Sequence, residues 1–191
     1  MDGHTAPVSA VAISLNGLWI ATGGFDQTIR LWDAGTGLHK RTIAAPTKNI
    51  LTVAFSPDSQ RIIGAGWGSL AMVWEVASGR PLLNLKGHGQ VVSSAAYSSD
   101  GQRIVTGSYD LTAKVWEAAS GRELLTLHGH TEPVSSVAFS QDRLRIITGS
   151  WDQTVKVWAA ASTNQVAAWE KEERVAEGFE GRVGASYKAT E

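Results

Sequence analysis

Apolar residues along this chain come in runs of five to eight, and each run is closed by a small polar cluster. The stretch 91–127 shows the pattern most clearly. Val91–Ser98 (VVSSAAYS) is followed by the turn Ser99-Asp100-Gly101, Arg103–Ser108 (RIVTGS) by a turn at Tyr109–Leu111, and Ala113–Glu117 (AKVWE) by Ala119-Ser120-Gly121. Glu123–Leu127 (ELLTL) closes the set. Runs of this length, rich in β-branched and aromatic residues and bounded by Gly, Ser and Asp, predict four antiparallel strands joined by hairpins. Both faces of the strands are fairly apolar, which fits sheets stacked between neighbours.

The same arrangement returns at a fixed step. Trp32, Trp74, Trp116 and Trp158 stand 42 residues apart. The step also relates Gly3-His4, Gly87-His88 and Gly129-His130, and it relates Asp26, Asp110 and Asp152. A strict period of this size marks a repeat architecture. The units read GH…TGGFDQTIRLWD, GH…TGSYDLTAKVWE and GH…TGSWDQTVKVWA. They resemble the WD-repeat family over residues 3–160, and the resemblance implies a ring of four-stranded blades around a central channel. The fold class expected is therefore all-β: a partial β-propeller of four WD-type blades, approximately 1–45, 46–86, 87–128 and 129–160.

The resemblance also implies that the histidines are structural. It joins His4, Thr22, Asp26 and Trp32 into one hydrogen-bonded chain inside blade one. His88, Thr106, Asp110 and Trp116 form the chain of blade three, and His130, Thr148, Asp152 and Trp158 that of blade four. A buried indole or imidazole N–H left unpaired costs about 1–3 kcal/mol, and a catalytic group would hardly be copied three times at one spacing. The second copy departs: Pro46 replaces the His, Gly64 the Thr and Gly68 the Asp, and only Trp74 remains. Blade two is thus expected to be the softest. Its run Gly64-Ala65-Gly66-Trp67-Gly68 lacks the following helix and the Lys-Ser or Lys-Thr of a phosphate loop.

Phe25, Trp67, Tyr109 and Trp151 precede the turn Asp position in the four copies. In similar propellers this position rims the channel mouth. Exposed Trp and Tyr bring large contact area at low entropic cost; the competing reading has these rings packing against one another and nearby loops. Lys48, Asn49, Gln90 and Glu132, in the variable loops entering each first strand, are the polar candidates for partner binding, with Gln27 and Gln153 as weaker ones. Arg30, Lys114 and Lys156, and Arg61, Arg103 and Arg145, are periodic and read as solvated edges or links between blades.

The two ends change the picture. Blade four shows three clear strands ending at Trp158, so the last blade is expected to be incomplete. Residues 163–179 read as a helix capped by Ser162 or Thr163, giving a C-terminal helix at 161–180 and a disordered tail at 181–191. Unclosed, such an arc exposes strand edges and apolar faces. Two arrangements answer that: blades missing from the N-terminal side, or a half-ring that pairs with a second copy as a homodimer. The segment QVAAWEKEERVAE is similar to the ends of some large bacterial WD-repeat proteins with a serine/threonine kinase domain, which suggests a regulatory module of such a kinase as an alternative.

Composition narrows the function. The chain has 191 residues, a formal net charge of −1, 18% charged residues and no cysteine. The balance gives no electrostatic reason for nucleic acid or an anionic membrane, and thiolate chemistry is excluded. No run approaches a membrane span and no signal peptide is evident, so a cytoplasmic location is expected. No metal and no cofactor are expected, nor is an enzyme: once the repeat is accounted for, no His, carboxylate or nucleophile is left over. Proteins or peptides are the expected partners.

Overall fold

The computed structural model describes residues 3–160 and 187–190. It consists of sixteen strands in four antiparallel sheets, each a simple up-and-down meander. Sheet one holds β1 (Val8–Ile13), β2 (Trp19–Gly24), β3 (Thr28–Asp33) and β4 (His39–Ala44). Sheet two holds β5 (Lys48–Phe55), β6 (Arg61–Trp67), β7 (Leu70–Glu75) and β8 (Pro81–Lys86). Sheet three is β9 (Val92–Tyr97), β10 (Arg103–Ser108), β11 (Ala113–Glu117) and β12 (Glu123–Leu127). Sheet four is β13 (Val134–Phe139), β14 (Arg145–Ser150), β15 (Val155–Ala160) and β16 (Tyr187–Thr190).

Sheet four shows the three strands expected of the last blade, and the short β16 lies beside the third. β16 pairs antiparallel with β15, from Val157↔Thr190 to Ala160↔Tyr187. It lies inside the tail expected to be disordered. Four residues, Tyr-Lys-Ala-Thr, are too short to show strand periodicity, so tertiary pairing rather than local pattern defines this strand. The helix expected at 161–180 falls outside the described residues.

The core lies between the blades. In a meander of directly opposed residues, Ala10, Gly23, Ile29 and Ile43 share one face of blade one. That face packs on Ile50, Val53, Ile62 and Trp74 of blade two. Ile63, Ala71, Val73 and Leu85 on the far side of blade two meet Val92, Ala95, Ile104 and Trp116 of blade three. Val105, Ala113 and Val115 meet Val134, Val137, Ile146 and Trp158 of blade four. This explains why both faces of each strand read as apolar: every inner sheet is buried twice.

The first strand of each blade carries a bulge that serves the joint. Register shifts bracket Ser9, Ser93 and Ser135, and a bulge re-aims the side chain of its extra residue. Ser9 Oγ donates to the Ile50 carbonyl of the next blade, and Ser93 Oγ to the Val134 carbonyl at 2.5 Å. Beside them, the Thr52 hydroxyl accepts the Ala95 N–H at 3.3 Å and the Ser94 hydroxyl accepts the Val137 N–H at 3.2 Å. The periodic arginines act as links here too. Arg61 Nη1 donates to the Ala118 carbonyl across the joint at 2.8 Å, and the Arg103 guanidinium lies 5.4 Å from the Phe139 ring centre.

Blade approach is close enough to require glycine. A Cβ on Gly107 would stand 2.8 Å from methyl groups of both Val134 and Val137. At the equivalent Gly149 it would meet only the Ser136 hydroxyl at 2.7 Å. Gly107→Val is therefore expected to lower unfolding free energy, measured by urea unfolding, by about 1–3 kcal/mol through overpacking.

Candidate functional site

Three of the four blades carry a buried polar relay. In blade three the Trp116 indole N–H donates to Thr106 Oγ1 at 2.8 Å, and Thr106 Oγ1 lies 2.7 Å from His88 Nε2. His88 Nδ1 lies 2.8 Å from Asp110 Oδ2. The proton order that satisfies every group has the threonine hydroxyl donating to Nε2 and the Nδ1–H donating to the carboxylate. Blade one repeats this with Trp32, Thr22, His4 and Asp26 at 2.8, 2.7 and 2.9 Å. Blade four repeats it with Trp158, Thr148, His130 and Asp152 at 2.9, 2.7 and 2.6 Å.

Each aspartate also fastens the two chain segments that meet beside it. Asp110 accepts the Gly89 N–H and both the N–H and hydroxyl of Thr112. Thr28 and Thr154 stand in the same relation to Asp26 and Asp152. Thr28, Thr112 and Thr154 were not singled out in the sequence, although they too fall on the 42-residue step, with Leu70 in the second copy. Burial works to raise the pKa of Asp26 and Asp110. The hydrogen bonds from threonine, backbone and imidazole outweigh it and bring both down to about 2. Burial pushes the His88 pKa below its ordinary value, partly offset by Asp110. These groups are thus held as neutral imidazole and carboxylate, with their hydrogen-bonding capacity spent inside the blade. Among the described residues no three or more His, Asp or Glu side chains converge to hold a metal.

Blade two replaces the relay by apolar packing and close backbone approach. A Cβ on Gly64 would stand 2.4 Å from Ile29 Cδ1 and 3.2 Å from the Trp74 ring, so Ile29 of blade one fills the space a threonine would take. β5 has register shifts on both sides of Ile50, and Asn49 adopts a positive φ of 47°. That brings the Asn49 carbonyl to within 2.0 Å of where a Cβ on Gly66 would lie. Gly66 is accordingly a steric requirement of the irregular first strand, whereas a Cβ on Gly68 would meet nothing within 4 Å.

The four aromatics lie at the turns between second and third strands. Trp151 is 58% exposed, Trp67 54% and Phe25 36%. Tyr109 is half-buried, its ring centre 4.9 Å from that of Trp151 at a tilt of 52°. Tyr109 thus packs on Trp151, while Trp67 and Trp151 are largely exposed to solvent. The backbone fixes these turns to the entry of the first strand. The N–H groups of Phe25, Tyr109 and Trp151 donate to the carbonyls of Pro7, Val91 and Pro133. Lys48 lies directly across from Trp67 in the β5–β6 ladder. Lys48, Gln90 and Glu132 are exposed and occupy one repeat position, next to half-buried Asn49. Exposed aromatics and variable polar residues thus share one end of the sheets.

A cleft of about 570 Å³ opens at the opposite end, between blades two and three. Arg61, Tyr97, Asp100, Arg103 and Glu117 line it. The sequence did not point to it, because its walls come from ordinary turn residues of two separate repeats.

Four-stranded meanders at a 42-residue step, three of them locked by a Trp–Thr–His–Asp relay, define a propeller of the WD type. The model of the WD40 family, described as WD domain, G-beta repeat, matches residues 1–33, 37–75, 79–117 and 121–159, and the chain belongs to that family. Curated relatives match over shorter segments. The small ribosomal subunit protein RACK1 of Schizosaccharomyces pombe is 45% identical over 56 residues, 29% of this chain and 18% of that protein. Eukaryotic translation initiation factor 3 subunit I of Aspergillus fumigatus is 37% identical over 62 residues, 32% of this chain and 18% of that protein. Protein tipD of Dictyostelium discoideum is 34% identical over 62 residues, 32% of this chain and 10% of that protein. The chain thus matches less than a fifth of the length of each of these relatives. All three are eukaryotic, so the expected bacterial source draws no support from them, and neither does the kinase context. Among the described residues no helix is long and apolar enough to cross a membrane.

Three outcomes follow. Thr106→Val keeps the shape but strands an indole N–H and an imidazole, and is expected to cost about 2 kcal/mol in urea unfolding. The folded-state pKa values of Asp26, Asp110 and His88 are all depressed, so each contribution is complete above the unfolded-state pKa and lost as pH falls. The urea midpoint is expected to decline below about pH 6.5 through His88 and more steeply from about pH 4 to about pH 2 through the aspartates. Amide exchange should be faster in blade two, which has no relay, than in blade three.

Proposed function

We propose that this chain is a protein- or peptide-binding scaffold and not an enzyme, with its docking surface at the end of the sheets that carries Phe25, Trp67, Tyr109 and Trp151. The observation that carries the reading is the exposure of Trp67 and Trp151 at the tips of a rigid repeated frame. Large aromatic side chains left in water at turns are a poor choice for solubility and a good one for an interface anchor. Tyr109, packed on Trp151, holds one anchor in place and so lowers the entropy lost on binding. Lys48, Asn49, Gln90 and Glu132 differ from one another at matching positions, so they supply selectivity around the aromatic anchors. The relay histidines and aspartates supply no chemistry, since each is consumed in its blade.

The names of two relatives support the same reading, since one is a protein of the small ribosomal subunit and another a subunit of a translation initiation factor. Membership of an assembly is what a scaffold is for. A cytoplasmic location is part of this proposal.

The test is panning of a random peptide library on the purified chain. Binding of the selected peptides is expected to fall at least tenfold in the double variant Trp67→Ala/Trp151→Ala, whose far-UV circular dichroism should match that of the parent. Unchanged binding by the double variant would overturn the assignment of this face.

A further inference from the structure

The two ends of the arc present sheet faces that every internal blade buries. Val11 is 72% exposed, whereas its repeat equivalents Val53, Ala95 and Val137 are 7%, 7% and 9% exposed. Val8 is 51% exposed, while Ile50, Val92 and Val134 are at 0%. At the other end Val155 is 68% exposed, against at most 1% for Ile29, Ala71 and Ala113. Ile13 and Leu144 are exposed as well.

These faces are not merely apolar; they are the two halves of the joint that already occurs three times inside the chain. Blade four offers the half that blades one to three use against their successors, and blade one offers the half that blades two to four use against their predecessors. The polar fittings of the joint are in place. Ser135, bulged like Ser9 and Ser93, stands where those serines donate to the first carbonyl of the following blade. Ser136 stands where Thr52 and Ser94 accept an N–H from the following first strand. Stepped back by the repeat, the matching groups are the Val8 carbonyl and the Val11 N–H of blade one. Blade four also has its own outer strand, β16, so its free face is that of a complete four-stranded sheet.

We propose that two copies of this chain join head to tail, the free face of blade four in each covering the free face of blade one in the other. One two-fold axis then makes both joints at once and closes an eight-bladed ring, within the size range in which propellers close. The occupant is a second copy because the joint is continuous with the three internal ones: same register, same serine fittings, same apolar pairs. The new contacts are Val155 and Ile147 against Val8 and Val11, with Ser135 and Ser136 on the backbone of β1.

Sedimentation equilibrium of the purified chain is the test, with Val11→Asp and Val155→Asp as variants. Both sites are solvent-exposed in the single chain, so each variant should keep the parent's circular dichroism. The parent is expected at twice the 20.3 kDa of one chain, and each variant alone at one. A mixture of the two variants should recover dimers, because pairing Val11→Asp with Val155→Asp places both charges in one joint and leaves the other intact. A monomeric parent would overturn the proposal and leave these faces for additional blades. A Val155→Asp variant that stays dimeric while Val11→Asp does not would overturn head-to-tail pairing in favour of a face paired with itself. Open-ended oligomers of the parent would overturn closure.

Discussion

The packing of one sheet on the next is the interaction on which the rest of this structure depends. A four-stranded meander with two apolar faces has no interior of its own. It gains one only when a second such sheet covers it. Ile50, Ile63, Val73, Val92, Ile104 and Val134 are fully buried, and all lie in the layers between blades. Burying a side chain of this size contributes about 1.5–3 kcal/mol, so the layers, not the hairpins, supply most of the stability. The arrangement is close to one-dimensional: each blade answers only to its neighbours. The 42-residue period is the sequence image of that physical step.

The relay has a different task. Stacking alone would leave the chain entering each first strand and the turn between second and third strands loosely attached. The aspartate gathers the backbone after the histidine, the imidazole itself and the following threonine onto one carboxylate. This fastens the end of the sheet that presents the aromatics. Blade two shows that the relay is separable from the stacking. Without it, Ile62, Ile63 and Val73 are still completely buried, and Ile29 takes the volume that Thr22, Thr106 and Thr148 occupy elsewhere. A polar device and an apolar one thus occupy equivalent sites in one molecule, and the apolar one leaves its turn, Trp67-Gly68, without a carboxylate anchor.

Most of this was legible because repetition averages out local ambiguity. Any one run such as RIVTGS is a weak strand signal, but RIIGAG and RIITGS at the same step make the assignment firm, and the strands β10, β11 and β12 fall on the residues the pattern marks. What broke the repeat was not legible. β16 is four residues far along the chain from β15, and its pairing with β15 is a non-local event. The role of Gly66 depends on the Asn49 carbonyl seventeen positions away, and the Tyr109–Trp151 contact on the angle between two blades. Each is a property of three-dimensional approach that no periodicity encodes.

That division between the repeated and the unrepeated also bears on function. Residues that recur in register are committed to holding the frame. His4, His88 and His130 have both ring nitrogens occupied within their own blades. The proposed recognition falls to positions where the copies disagree: Lys48 against Gln90 and Glu132, Trp67 beside a glycine where Trp151 precedes an anchored aspartate. A frame that is stiff along its sheets and varied at their tips presents several dissimilar contacts at fixed separations. On the proposed reading such a surface suits an extended or multi-point protein ligand better than a small molecule, because a small molecule cannot collect contacts from four separate blades.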